Sequence, residues 1–415
     1  PANPALTPAA TRQVALDLMN PNLRTGYVAQ WNLNIQRQIA KNTILDVGYV
    51  ANRGIKLFFQ TNLDQSYIYN NGFLTAFNQI ASNLTNLSAV PVTNPIAAIY
   101  GSASAAVSSI GSSVFSQGQV GTAANTTDVN NYTKYAASGT SEYYLRHFPQ
   151  FSTVLFGNND GRSAYNSLQV RLTRQFGALR ATANFTWSKA MDNDLSAATG
   201  GEGNGFAAPL DSYNEALDRG RSNFDIPKAF TMTSQYTLPI GKGHRFGDTM
   251  PRWANSVFGG WDVGSLWIWE SGSPFTVSSG RNTGPSTVNT WADYTGSRNV
   301  GSVMTSNNGI GPGVYYFTPA EILNFGEPAA GTFGTSGRNT FRGPRFFNLD
   351  ASLVKRFELM ERKFLTFRLE AYNLPNNVDF ANPSVNFGGN ASAFGKIGGV
   401  VNNPRIVQLA LRFDF

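Results

Sequence analysis

A run that alternates apolar and polar residues for about ten positions has one greasy face and one wet face only if it is a β-strand. This chain carries about nine such runs. In Tyr27 to Gln38, Tyr27, Ala29, Trp31, Leu33 and Ile35 share one face and Gln30, Asn32, Asn34 and Gln36 the other. Thr43 to Ala51, Ser167 to Gln175, Leu179 to Lys189, Phe230 to Leu238, Trp261 to Trp269, Phe347 to Phe357, Leu365 to Ala371 and Arg405 to Phe415 repeat the pattern. Each is near the length of a tilted strand that crosses a bilayer, about 9–11 residues.

The connections sort into two alternating classes. After residues 38, 175, 240 and 357 they are mostly tight (IAKNT, FGA, ELMERK), although residues 241–260 form a longer one. After about 60, 190, 279 and 374 they are long. Short turns at one end and long loops at the other are the habit of outer-membrane barrels, whose long loops face the outside, and not of sandwiches or propellers. The predicted fold is therefore all-β, an antiparallel outer-membrane barrel. Nine strands that start and finish in the same direction cannot close by antiparallel pairing, so further strands are expected before Pro1. Residues 1–24 are read as the end of an outer loop and residues 25–415 as barrel, with a long outer connection over about 61–162.

Composition agrees. Charged residues make up 14% of the chain against the ~25% usual in soluble domains, while aromatics reach 13% and the polar positions are filled by Asn, Gln, Ser and Thr. The net charge of +7 comes from scattered Lys and Arg without a basic stripe interleaved with aromatics, so no nucleic acid is expected as a partner. There is no cysteine and only two histidines, His147 and His244, which leaves no material for a cysteine metal site or a His-based triad. No metal, cofactor or catalytic residue is predicted. No run reaches the ~18 apolar residues of a membrane-spanning helix.

From Gln65 to Thr127 there is not one Asp, Glu, Lys or Arg. Within it FLTAFNQIASNL and PIAAIYGSASAAVSSI are predicted to form short helices. A run this rich in Ala, Ile and Phe lacks the charge and polarity of a disordered segment, so it is expected to fold over the barrel mouth or against a partner.

Six segments, GYVAQWNLNIQRQIAKNTILDVGYVANRGIKL, GRSAYNSLQVRLTRQFGALRATANFTWSKAMD, DRGRSNFDIPKAFTMTSQYTLPIGKG, GGWDVGSLWIWESGSPFTV, FGTSGRNTFRGPRFFNLDASLVKRFEL and FRLEAYNLPNNVDFANP, occur in this order. In that order they resemble the C-terminal barrel of Oar-like TonB-dependent receptors. The resemblance covers most of the chain. It implies a barrel of about 22 strands, preceded in that family by a carboxypeptidase-regulatory-like domain and a plug domain that this sequence does not contain. It also implies import of a bulky substrate across the bacterial outer membrane, with membrane lipid and the TonB energy-coupling system, acting through the plug, as partners. The alternation closing on Leu409, Leu411, Phe413 and Phe415 resembles the signal read by the barrel-assembly machinery.

Individual residues follow from this frame. Asn32, Asn34, Gln36, Arg171, Arg180, Arg368, Glu370, Arg412 and Asp414 are expected to face the lumen. Asp218, Arg219, Arg221 and Asp225, in DRGRSNFDIP, are expected to form an ion-pair network at the rim, more simply a brace for the loop base than a binding site. The RSAYNS stretch, Arg162 to Ser167, reads more simply as a turn leading into a strand than as a ligand-facing rim. The acids Asp211, Glu215 and Glu370 are too ordinary in context to argue for a hydrolase. Trp187, Trp253, Trp261, Trp267, Trp269, Phe341, Phe346, Phe347 and Tyr372 are predicted to form interfacial girdles. Tyr143, Tyr144, Phe148, Tyr315 and Tyr316 are candidates for stacking on sugars or peptides, with loop packing the simpler reading. Two other functions stay open: a structural or adhesive surface protein that self-assembles through its sheet edges and uncharged loop, and a passive porin, which requires a complete, unplugged barrel.

Overall fold

The computed structural model describes residues 14–193, 209–305, 312–389 and 393–415. Nine long strands form one sheet: β1 (Tyr27–Ala40), β2 (Thr43–Asn62), β3 (Thr153–Phe176), β4 (Leu179–Asp192), β5 (Lys228–Thr237), β6 (Trp261–Glu270), β7 (Phe346–Met360), β8 (Lys363–Tyr372) and β9 (Ile406–Asp414). They lie side by side in sequence order and every neighbouring pair is antiparallel. All nine predicted strands are present, and the predicted all-β antiparallel wall is the observed one.

The tight turns are built from residues that accept a left-handed backbone. Asn42 (φ 58°) ends the turn between β1 and β2, Gly177 (φ 55°) opens the one between β3 and β4, and Arg362 (φ 61°) closes the one between β7 and β8. Asn and Gly tolerate this region readily, whereas Arg362 carries a steric cost. The fourth connection at this end, 238–260, contains a helix, Arg252–Phe258.

At the other end the sheet rises beyond the wall. β2 and β3 are 20 and 24 residues long, much longer than a bilayer crossing needs, so the connection between them is 63–152 rather than the expected 61–162. Register shifts at Gly54, Leu57 and Phe59 mark where the regular ladder gives way to this upper extension. Residues Ala15–Met19 run parallel to Thr153–Gly157 on the far edge of that extension. The reading of residues 1–24 falls partly outside the described residues, since description begins at residue 14.

Residues 63–152 fold into a helical insert with its own core. α1 (Phe73–Ser82), α2 (Pro95–Tyr100) and α3 (Ala103–Ile110) contribute Phe73, Phe77, Ile80, Ile96 and Ala106, all essentially buried. Phe77 stacks on Phe115 with ring centroids 4.9 Å apart. The second predicted helix is two helices, because Gly101 turns left-handed (φ 84°) and Ser102 caps α3 by accepting from the Ala105 N–H at 3.1 Å. A second buried cluster, Phe275, Phe317, Phe325, Phe341 and Phe394 among others, joins the connections 271–345 and 373–405. Phe341 is thus core and not part of a girdle: at 1% exposure its ring stacks on Phe275. Tyr315 and Tyr316 are likewise buried, which settles them as loop packing.

Candidate functional site

Cross-strand partners in an antiparallel sheet project to the same face, so the register assigns every wall residue to one of two faces. One row runs Gln36, Asp46, Arg171, Asn184, Thr231, Ile268 and Asn348. Another runs Gln175, Arg180, Gln235, Gly264, Ser352, Glu370 and Gln408. Asn32 and Asn34 join this face opposite Val50 and Gly48, Arg368 opposite Val354, Arg412 opposite Thr366 and Asp414 opposite Phe364. All nine residues predicted to face the lumen therefore share one face, which is predominantly polar, with Val50, Leu266, Ile268 and Val354 as apolar interruptions.

The polar face is hollowed over its first four strands. A hollow of ≈ 580 Å³ lies against β1 to β4, with Asn32, Asn34, Asp46, Gln169, Arg171 and Asn184 among its lining. Arg171 Nε donates to Asn184 Oδ1 at 3.1 Å, and Asn184 Nδ2 donates to Thr231 Oγ1 at 3.3 Å. On the last two strands Arg368 pairs with Glu370 at 3.4 Å and Arg412 with Asp414 at 2.7 Å, two residues apart on the same strand face. Such exposed pairs add little stability; their effect is to line the surface with fixed, mutually neutralised charge.

The opposite face is apolar. Leu33, Ile35, Leu409, Leu411 and Phe413 are each at least half exposed, and Phe415 caps the row with its ring 5.8 Å from that of Phe413. A soluble monomer rarely exposes a contiguous apolar surface of more than a few hundred Å². Of the predicted girdle residues, Trp187, Trp261, Trp267, Trp269 and Phe347 lie on this face by register, whereas Phe346 (opposite Glu270) and Tyr372 (opposite Ile406) fall on the polar one.

At the long-loop end the predicted rim network is rearranged. Asp225, fully buried, accepts from the Ala190 N–H at 2.7 Å, from Arg221 at 3.2 Å and from Arg342. Asp218, also fully buried, accepts from the Leu210 N–H at 3.3 Å, and burial pushes its carboxyl up to about 7 against the pull of Arg338. Arg338 donates to the Asp218 carbonyl at 3.1 Å and to Asp192 at 2.6 Å. Arg219 is exposed and makes no ion pair among the described residues. Sequence reasoning missed Arg338, Arg342 and Asp192, the two arginines lying more than a hundred residues from their partners. The only signal was FGTSGRNTFRG, a glycine-punctuated segment with two arginines and no nearby acid.

A second braced point closes the helical insert. Asp64 and Asp128, the acids that bound the charge-free run, both grip Arg146, at 3.3 Å and 2.5 Å. All three side chains are buried. Burial pushes the Asp64 carboxyl up to about 6, although the Phe148 N–H (2.8 Å) and Arg146 pull it down. Beside them a recess of ≈ 330 Å³ is lined by Asp64, Gln65, Arg146, Ser212 and Ser286 among others. Asp211 accepts from Gln65 Nε2 at 2.8 Å and from the Tyr213 N–H at 3.0 Å, a structural role.

A family model described as outer membrane beta barrel domain matches residues 1–408. No curated protein matches the chain. Among solved structures, the outer membrane transporter YddB from Escherichia coli is similar at 9% identity, with a TM-score of 0.41, over 98% of this chain and 35% of that one. The ferric-catecholate import receptor Fiu from E. coli is similar at 10% identity and a TM-score of 0.36, over 95% of this chain and 29% of that one. BauA, the ferric preacinetobactin receptor from Acinetobacter baumannii, is similar at 10% identity and 0.35, over 94% and 29%. The chain spans about a third of the length of these structures.

Proposed function

The chain belongs to the family of outer membrane beta barrel domains, and from that premise we propose that it is the nine-strand C-terminal portion, residues 25–415, of a TonB-dependent receptor that imports a bulky hydrophilic substrate. The protein resides in the outer membrane. The observation that carries the reading is the division of the wall into a predominantly polar face, hollowed over β1 to β4, and a predominantly apolar face. In a bilayer the apolar face meets lipid and the polar face lines the lumen.

The outer loops capture the ligand, which passes along the lumen when a plug domain, supplied outside this chain and energised by the TonB system, moves. The lining suits that task. Asn32, Asn34, Gln36 and Asn184 exchange hydrogen bonds with a solute at little cost, while Arg171, Arg180, Arg368, Glu370, Arg412 and Asp414 keep the surface hydrated. The rim network of Asp218, Arg221 and Asp225 with Arg338 and Arg342 holds the loops over the mouth. Leu409, Leu411, Phe413 and Phe415 serve as the assembly signal, and residues 1–24 as the end of an outer loop. No step of this cycle is catalytic.

Conductance of the full-length protein in a planar bilayer tests the reading. A barrel that stays closed until its plug domain is deleted is expected. Steady open conductance with the plug present identifies a porin, and none even after plug deletion identifies a surface-assembly protein.

A further inference from the structure

Three of the four inner-end connections are two-residue turns, and the exception, 238–260, spends its length on the Arg252–Phe258 helix. Trp253 and Val257, four residues apart and so on one side of that helix, are 70% and 49% exposed, and Phe246 and Phe258 are 56% and 53% exposed. A periplasmic loop gains nothing by showing four large apolar side chains to water. Two side chains of the apolar wall face fix where the helix sits. Trp261 Nε1 donates to the Val257 carbonyl at 2.9 Å, and Lys355 Nζ donates to the Val257 carbonyl at 3.3 Å and to the Gly259 carbonyl.

Lys355 lies opposite Trp261 and Phe367 in the ladder and is 4% exposed, a cation on the face otherwise turned to lipid. It is tolerable there because it reaches the open carbonyls at the helix end, where the partial negative charge of the helix collects. The helix is thereby tied to the lipid side of the wall, at its inner rim. Lys242, Arg245 and Arg252 in the same connection face one acid, Asp248.

We propose that this connection is an interfacial anchor: the Arg252–Phe258 helix lies in the periplasmic leaflet of the outer membrane, its aromatic and aliphatic side chains among the acyl chains and its cations on phospholipid phosphates. The argument rests on the membrane reading above and extends it from the wall to a loop. Continuity with the apolar face and the excess of cations both select a phospholipid surface.

The test uses the full-length protein with one added cysteine, spin-labelled and reconstituted in vesicles of phosphatidylethanolamine and phosphatidylglycerol. Accessibility to oxygen is compared with accessibility to a water-soluble nickel chelate. At Val257→Cys the oxygen-to-nickel ratio is expected to exceed that at Lys242→Cys several-fold and to fall when Lys355→Met is added. A control on the apolar wall, Ala183→Cys, keeps the two readings apart. If Ala183 reports lipid and Val257 reports water, the anchor is overturned and the barrel stands; if both report water, the membrane reading itself fails.

Discussion

Arg338 and Arg219 show how little a residue's neighbours in sequence say about its partners. Arg219 sits beside Asp218 in the chain yet is exposed without an ion pair among the described residues, while Arg338, 5% exposed, joins Asp192 to Asp218. Removing one partner of a buried pair costs about 3–5 kcal/mol, whereas changes at exposed sites without such contacts stay within about 0.5 kcal/mol. Arg338→Ala is therefore expected to open the 209–227 segment to limited proteolysis, and Arg219→Ala to leave it unchanged. Asp64 supplies a pH dependence. Its carboxyl is raised from 3.8 to about 6, so the folded insert holds a proton more tightly than the unfolded chain. That contribution is complete below pH 3.8 and is lost as pH rises through about 6, a loss of at most about 3 kcal/mol. Protection of the amides of α1 to α3, corrected for the intrinsic pH dependence of exchange, is expected to be greater at pH 5 than at pH 7.5, and Asp64→Asn to flatten the difference. Asp218 and Asp225 were legible as acids in need of partners. Arg338 and Arg342 were not, because nothing in a linear pattern encodes which distant loops share a rim.

Among elements, the strands were legible and the loops only partly. Between a lipid face and a wet face every second residue is constrained, so Leu409, Leu411 and Phe413 announce their side while Gln408, Ala410 and Arg412 announce the other. Above the membrane that constraint ends: Phe59, Thr61 and Asn158, which share one side of the sheet, are buried under the loops while Phe58 on the other side is exposed, the alternation of residue types stops, and the upper halves of β2 and β3 could not be read. Phe341 was misassigned for a related reason, since an aromatic near a strand start looks the same whether it meets lipid or a loop core. The two faces make an asymmetric expectation for single charges. Leu409→Arg places a guanidinium in lipid and is expected to cost about 2–4 kcal/mol near the midplane, with less protein migrating as the compact, heat-modifiable form on gels. Gln408→Arg, opposite Glu370, is expected to migrate as the unaltered protein does.

For the whole molecule, the wall and the loop bodies are held by different forces. The helical insert and the aromatic cluster have buried cores of ordinary soluble kind. The wall has almost no core of its own: its strands pair, and its apolar face is satisfied by lipid alone. A chain of this design folds fully only where lipid is present, which explains how it combines a low charge content with so many exposed apolar side chains. The claim that decides between a transporter wall and any soluble or self-assembling sheet is which face meets water. Single cysteines at Gln169, Val170, Arg171 and Leu172 of the full-length protein, folded in vesicles and treated with a charged, lipid-impermeant thiol reagent, read this out at consecutive positions of β3. Gln169→Cys and Arg171→Cys are expected to react while Val170→Cys and Leu172→Cys are spared. Equal reaction at all four positions, or reaction at Val170 and Leu172 alone, would contradict the account.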